Sequence, residues 1–345
     1  MQLAYKKFDL PLKNVFTISR GSTAVQPTLI VQLSAGGQFG YGEATTNSYY
    51  GATIEKMSAA LESVRSLVEA ARPDEPLPLV ASLADALPGQ EFPLSALDQA
   101  AHDLWGKLHG AAVYRLWGLS DAAAPRSDYT LGIDTPQKMV AKLREMPGWP
   151  VYKIKLGTAD DLGIVRELRG HTDATFRVDA NCGWTAEQTI EISPALKELG
   201  VEFIEQPLAP GNRDAARRAF EHSALPLIAD ESCVTESDVD RCAECFHGIN
   251  IKLVKCGGLA AARRMIDRAR ELGLQVMAGC MTESTVGISA LAQLLPLLDY
   301  VDMDGAVLLA RDIASGVRLD RGRCIYPAEN GTGVRLLDGP LPAAA

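Results

Sequence analysis

The sequence has no surplus of positive charge. Lys and Arg number 34 against 43 Asp and Glu, a net charge of −9, which makes the chain a poor candidate for nucleic-acid binding. No apolar run reaches the roughly 18 residues of a membrane helix. The first residues, MQLAYKKFDL, lack an apolar signal core, so the reading is of a cytoplasmic protein rather than a secreted one. Cysteines number seven, an odd and scattered set that fits a reducing compartment and no disulfide framework. Cys242 and Cys245 form C-A-E-C, but no second C-x-x-C follows and the pair lies in a helix-like stretch. Only five histidines are present. None falls at the end of a predicted strand, which argues against a zinc site.

What is present is a repeat. From about Ser127 to Ala310, short apolar runs alternate with amphipathic runs of helical period. The apolar runs are SDYTLGI, WPVYKIKLG, ATFRVDAN, VEFIEQP, LPLIADES, HGINIKLVKCGG, LGLQVMAGC and LLDYVDMDG. Strand alternating with helix implies a parallel sheet, and eight such runs predict an α/β fold of the (β/α)8 type. An open doubly wound sheet is the alternative, because the stretch is short for a barrel and the eighth helix is the least visible. Residues 1–124 read as an α+β capping domain: three strands, then helices over IEKMSAALESVRSLVEAA and PLSALDQAAHDLWGKLHG. Residues 312–345 are expected to complete that domain, with a frayed PLPAAA end, leaving 125–311 as the barrel.

In a barrel, side chains alternate between the interior and the helix layer, so polar residues on the inward parity stand out. In NIKLVK, Ile249, Ile251 and Leu253 share the outward parity, while Asn250 and Lys252 face in. Lys255 falls on the outward parity or beyond the strand end, and its role is unassigned. The same test turns Lys153, Lys155, Asp179, Glu205 and Asp230 inward and puts Asp302 and Asp304 on one parity. All lie at the C-terminal ends of strands, where barrel active sites are built. Three carboxylates on consecutive strands repel one another without a cation between them, and an all-oxygen set suits Mg²⁺. Lys155 and Lys252 end the second and sixth runs, so they stand on opposite sides of an eight-stranded barrel. A substrate carboxylate on the metal would place its α-carbon between two amines. That arrangement suits 1,1-proton transfer through a metal-stabilised enediolate, an epimerisation. Each lysine then needs a pKa well below its free value of ~10.4, which the metal and the neighbouring Lys153 could supply.

These residues resemble the enolase superfamily, and within it the muconate-lactonising-enzyme-like branch. The resemblance runs along essentially the whole chain, through FGYGEA (39–44), ALDQAAHDLWGKLHG (96–110), YKIKLG (152–157), VDAN (178–181), IEQP (204–207), ADES (229–232) and NIKLVKCGG (250–258). It implies catalytic Lys155 and Lys252, a supporting Lys153, and Mg²⁺ held by Asp179, Glu205 and Asp230. The mandelate-racemase-like branch does not fit, because AGCMTES carries no histidine. GCMTES (Met281, Glu283, Ser284) and DMDG (Asp302, Asp304) are similar to dipeptide epimerases, in which the aspartate pair binds the dipeptide ammonium. Arg20 in ISRGS matches the arginine that, in L-Ala-D/L-Glu epimerases, receives the glutamate side chain. Thr130 and the tyrosines of NSYYGA, Tyr49 and Tyr50, are expected to line the same pocket. The resemblance thus implies a dipeptide substrate, Ala-Glu first, and the chain is expected to act as a homo-oligomer without nucleic-acid or membrane partners. Muconate cycloisomerase, o-succinylbenzoate synthase and N-acylamino acid racemase share the Lys–metal–Lys geometry and remain the alternative.

Overall fold

The computed structural model describes residues 1–342. It opens with an antiparallel sheet of three strands, β1 (Gln2–Ile18), β2 (Gly21–Ala35) and β3 (Gln38–Thr45). The β1–β2 hairpin turns at Ser19 and Arg20, and its register slips between Pro11 and Phe16. Helices follow. The expected helix from Ile54 is two pieces, Ile54–Ser63 and Arg65–Ala70, parted at Val64, a β-branched residue with weak helix preference. A further helix, Pro76–Ala86, starts with proline at its first turn, where the missing N–H costs nothing.

The helix Glu91–Leu108 is buried along most of its length and joins the two halves of the molecule. Gly40 and Gly42 of β3 let it come close. A Cβ on Gly42 would lie 2.0 Å from the Ala96 carbonyl oxygen, and one on Gly40 would lie 2.2 Å from that of Ala100. On its other side, Asp98 accepts the N–H groups of Leu259 (2.9 Å) and Ala260 (3.1 Å) and so caps the barrel helix Leu259–Glu271.

The second half holds eight parallel strands in sequential order: β4 (Tyr129–Leu131), β5 (Val151–Lys155), β6 (Thr175–Asp179), β7 (Val201–Glu205), β8 (Leu227–Ala229), β9 (Gly248–Ile251), β10 (Gln275–Gly279) and β11 (Tyr300–Asp302). A parallel bridge between Ser127 and Val301 brings β11 back to β4, so the sheet closes and the open-sheet alternative is set aside. The apolar outward residues, among them Ile154, Val178, Ala229, Ile249 and Ile251, pack with the helices in the main core. Inside, Phe203, Ile228 and Met277 fill one level, and the buried Arg177 pairs with Asp128 (2.9 Å) and Glu202 (2.8 Å). The expected weak eighth helix is a short 3₁₀ turn, Gly305–Leu308.

The C-terminal segment packs back on the first sheet. Val334, Leu336 and Leu341 cluster with Ala4, Ile30 and Tyr41. Of the PLPAAA end expected to fray, Leu341 is buried and exchanges hydrogen bonds with the Gln32 side chain at 2.7 and 3.2 Å. Residues 343–345 lie outside the described residues. Among the described residues, no helix is long and apolar enough to cross a membrane.

Candidate active site

A cavity of about 610 Å³ lies at the C-terminal mouth of the barrel, beneath the hairpin tip. Lys155, Lys252, Asp230, Asp302, Asp304, Thr130, Arg20, Tyr49, Tyr50 and Met281 all line it. Glu283 and Ser284 do not. The Ser284 side chain and backbone N–H donate to Glu43 (2.5 and 3.1 Å), and a Glu283 oxygen accepts the Met281 N–H (3.0 Å). Both are turned toward a helix N-terminus and the capping sheet, so they support the wall rather than face a ligand.

Asp179, Glu205 and Asp230 are buried, and each offers an oxygen within 4.8 Å of the others. Their surroundings differ. Asp230 is held below the usual carboxylate range: burial pushes it up, but Lys252 (2.8 Å) and Lys255 (2.6 Å), one on each oxygen, outweigh that. Asp179 is likewise lowered, with Lys155 at 2.6 Å overcoming burial. Burial and repulsion from Asp179 push Glu205 up to about 7. One Glu205 oxygen accepts from the Asn250 side chain (2.9 Å). The other lies 2.7 Å from Lys153 Nζ yet accepts no hydrogen bond. A buried all-oxygen trio whose oxygens lie within 4.8 Å of one another fits a hard cation such as Mg²⁺.

The lysines divide their work. Lys153 is buried among Asp302 (2.8 Å), Glu205 (2.7 Å) and Asp179 (3.5 Å). Burial pulls its pKa down, but these carboxylates hold it well above the ordinary value. It is therefore a fixed positive charge. Lys252 is also raised, because Asp230 outweighs its burial. The lowering expected of Lys252 is therefore not seen among these carboxylates alone. A dication among them would offset the field that holds Lys252 up.

Strand β9 ends at Ile251, and Leu253–Cys256 form one helical turn. Lys255 is thus beyond the strand end. Its buried amine curls back to the Asp230 side chain and carbonyl and to the Cys233 carbonyl (2.9 Å). Gly257, in the left-handed region at φ 93°, ends the turn.

Asp302 and Asp304 sit at the end of β11. Asp304 accepts the Thr130 N–H (2.6 Å) and hydroxyl (3.2 Å). Burial and the neighbouring Asp302 push its pKa up to about 8. One Asp302 oxygen takes Lys153, and the other is buried without a partner.

Arg20 reaches from the hairpin tip to the loops after β6 and β8. It pairs with Glu231 (2.6 Å), donates to the Asn181 carbonyl (3.0 Å) and stacks over Tyr49 at 4.5 Å. Asn181 and Cys182 have positive φ, 44° and 67°, a costly conformation for residues with side chains. Glu231, Asn181 and Cys280 line the cavity and were missed in the sequence. The signal was present for Glu231, a second acid directly beside Asp230 in ADES.

Comparison with known proteins agrees with this geometry. Residues 6–118 match the mandelate racemase / muconate lactonizing enzyme N-terminal domain, and residues 137–339 match the enolase C-terminal domain-like family. The chain belongs to this family. It is 53% identical over 337 residues to the L-Ala-D/L-amino acid epimerase of Flavobacterium johnsoniae, covering 98% of this chain and 100% of that one. It is 37% identical to the L-Ala-D/L-Glu epimerase of Bacteroides thetaiotaomicron, over 97% and 88% of the two chains. Its fold superimposes with a TM-score of 0.89, at 33% identity and over 97% and 99% of the two chains, on a dipeptide epimerase of Methylococcus capsulatus complexed with Mg and L-Arg-D-Lys.

Proposed function

We propose that this chain is a Mg²⁺-dependent dipeptide epimerase that inverts the α-carbon of the C-terminal residue, with L-Ala-D/L-Glu as first substrate. The observation that carries this reading is a crossed arrangement at the barrel mouth. Lys155 ends β5 and Lys252 follows β9, four strands apart in a closed eight-stranded sheet. Asp302 ends β11, and Arg20 with Glu231 lies over the opposite side, between the loops after β6 and β8. A dipeptide laid along the second diameter has its ammonium at Asp302 and Asp304 and its second side chain toward Arg20. Its α-carbon then lies between the two amines.

Asp179, Glu205 and Asp230 would hold the metal. A magnesium ion there supplies positive charge against the charge that builds on the substrate carboxylate as the α-proton leaves. Lys155 removes the proton from one face, and Lys252 delivers one to the other. Lys153 stays charged and fixes Asp302, Glu205 and Asp179. The partnerless Asp302 oxygen, beside the buried Asp304, wants a cation, and the ammonium of a dipeptide is one. Muconates and N-acyl amino acids lack it, which separates this reading from the alternative Lys–metal–Lys enzymes.

The same reading divides the chain into a cap, 1–124 with 312–345, and a barrel, 125–311, supported by the packing of the tail on the first sheet. It places the enzyme in the cytoplasm as a homo-oligomer. The deciding experiment screens L,L-dipeptides in D₂O with Mg²⁺ and reads α-deuterium uptake by mass. Uptake on Ala-Glu or its relatives is expected. No uptake on any dipeptide, with turnover of an N-acyl amino acid or a muconate, would sink the proposal.

A further inference from the structure

The family resemblance implies an arginine waiting for the substrate's carboxylate, but Arg20 already has one. Its Nη2 lies 2.6 Å from Glu231, its Nη1 donates to the Asn181 carbonyl at 3.0 Å, and its plane rests on Tyr49. A guanidinium binds a carboxylate most strongly through two parallel N–H groups. Here each terminal nitrogen is engaged by the protein, Nη2 by Glu231 and Nη1 by the Asn181 carbonyl. Arg20 is about a third exposed, at 32%, whereas the Glu231 side chain is nearly enclosed, at 1%. The neighbouring Asp230 cannot take its place, because Lys252 and Lys255 hold both its oxygens.

We infer that Glu231 sets how strongly the pocket prefers an acidic second residue, by competing with the substrate for Arg20. This rests on the dipeptide reading above. An incoming side-chain carboxylate meets a guanidinium whose charge is already offset by a buried acid, so it gains only part of the field. It must also approach Glu231, a like charge. An apolar side chain brings no charge to Arg20 and leaves the ion pair intact. One Glu231 oxygen is buried without a hydrogen bond, and the other takes Arg20 (2.6 Å) and the Asn181 amide (3.5 Å), so Arg20 is the cation in direct contact with this acid and Glu231 does not give it up freely. The structure thus describes a pocket that admits acidic and neutral second residues with a small gap between them.

The test compares kcat/KM for L-Ala-L-Glu and L-Ala-L-Leu in the Mg²⁺-loaded enzyme, in Glu231→Gln and in the double variant Arg20→Gln/Glu231→Gln. Because the ratio is taken within each protein, a general loss of turnover cancels. In Glu231→Gln the Glu-over-Leu ratio is expected to rise about tenfold or more, chiefly through KM for Ala-Glu. In the double variant it should drop below that of the unaltered enzyme. If Glu231→Gln turns over too slowly, the same ratio is read from Kd values by calorimetry. An unchanged or lower ratio in Glu231→Gln overturns the inference alone. Failure of the unaltered enzyme to epimerise either dipeptide overturns the dipeptide reading and this inference with it.

Discussion

Lys255 holds Asp230 at two points: its amine lies 2.6 Å from the side-chain Oδ1 and 2.5 Å from the main-chain carbonyl oxygen of the same residue. The two groups are 25 residues apart in sequence, on successive strand ends, and both are buried. Lys255 therefore fixes the orientation of a proposed metal ligand, while Lys252 takes the other oxygen from the substrate side. Replacing Lys255 with Met keeps the volume and removes the grip. Partners that orient metal ligands cost about 10–100-fold in affinity when removed. Calorimetric titration with Mg²⁺ should show a loss of that order in Lys255→Met, and unaltered affinity would reduce Lys255 to a packing residue.

Lys155→Ala and Lys252→Ala should each abolish epimerisation, because inversion needs a base on both faces. Each variant should still exchange the α-proton of one substrate epimer with solvent deuterium, since one amine remains. The check is mass-resolved exchange on the L- and D-epimers separately. Full activity in Lys252→Ala with loss in Lys255→Ala would contradict the alternation of inward and outward side chains on which the assignment rests.

Glu283 carries a pH signature. Burial and the neighbouring Glu43 push its pKa up from 4.5 to about 8, so the folded state binds a proton that the unfolded chain releases near 4.5. The stability this proton confers is fully present below about pH 4.5 and is lost as pH rises toward 8. Thermal melts of Glu283→Gln should therefore fall less between pH 5 and 8.5 than those of the unaltered protein. Parallel curves would mean that Glu283 is not protonated in the folded state.

Asp98 joins the two halves of the molecule. It caps the helix Leu259–Glu271 and lies 2.9 Å from His102 Nδ1. Asp98→Ala leaves two buried N–H groups without a partner, a cost of about 2 kcal/mol. A lower urea midpoint is the expected result, and an unshifted midpoint would count against the cap.

The sequence carried much of this in its periodicities. Alternation along NIKLVK placed Lys252 inside and Ile249 and Ile251 outside, because helices cover the outer face of every barrel strand. The same rule found Lys153, Lys155, Asp179, Glu205 and Asp230, whose charges are costly in a buried strand unless they have partners. It could not treat Lys255, because the strand stops at Ile251 and a helical turn resets the direction of the side chains. It also set Glu283 and Ser284 among the ligand contacts, whereas Glu283 accepts the Met281 N–H and Ser284 donates to Glu43.

What the sequence by itself determined is which residues stand at the inward ends of the strands, since a period of two is local. What only the tertiary structure decided is who pairs with whom across the mouth. Arg20 and Glu231 are more than 200 positions apart, as are Glu43 and Ser284, and Asp98 meets Leu259 across two halves of the molecule. Such pairings depend on where a hairpin tip or a helix lands after packing. The charge left over for a substrate follows from those pairings and not from the presence of an arginine in a familiar motif.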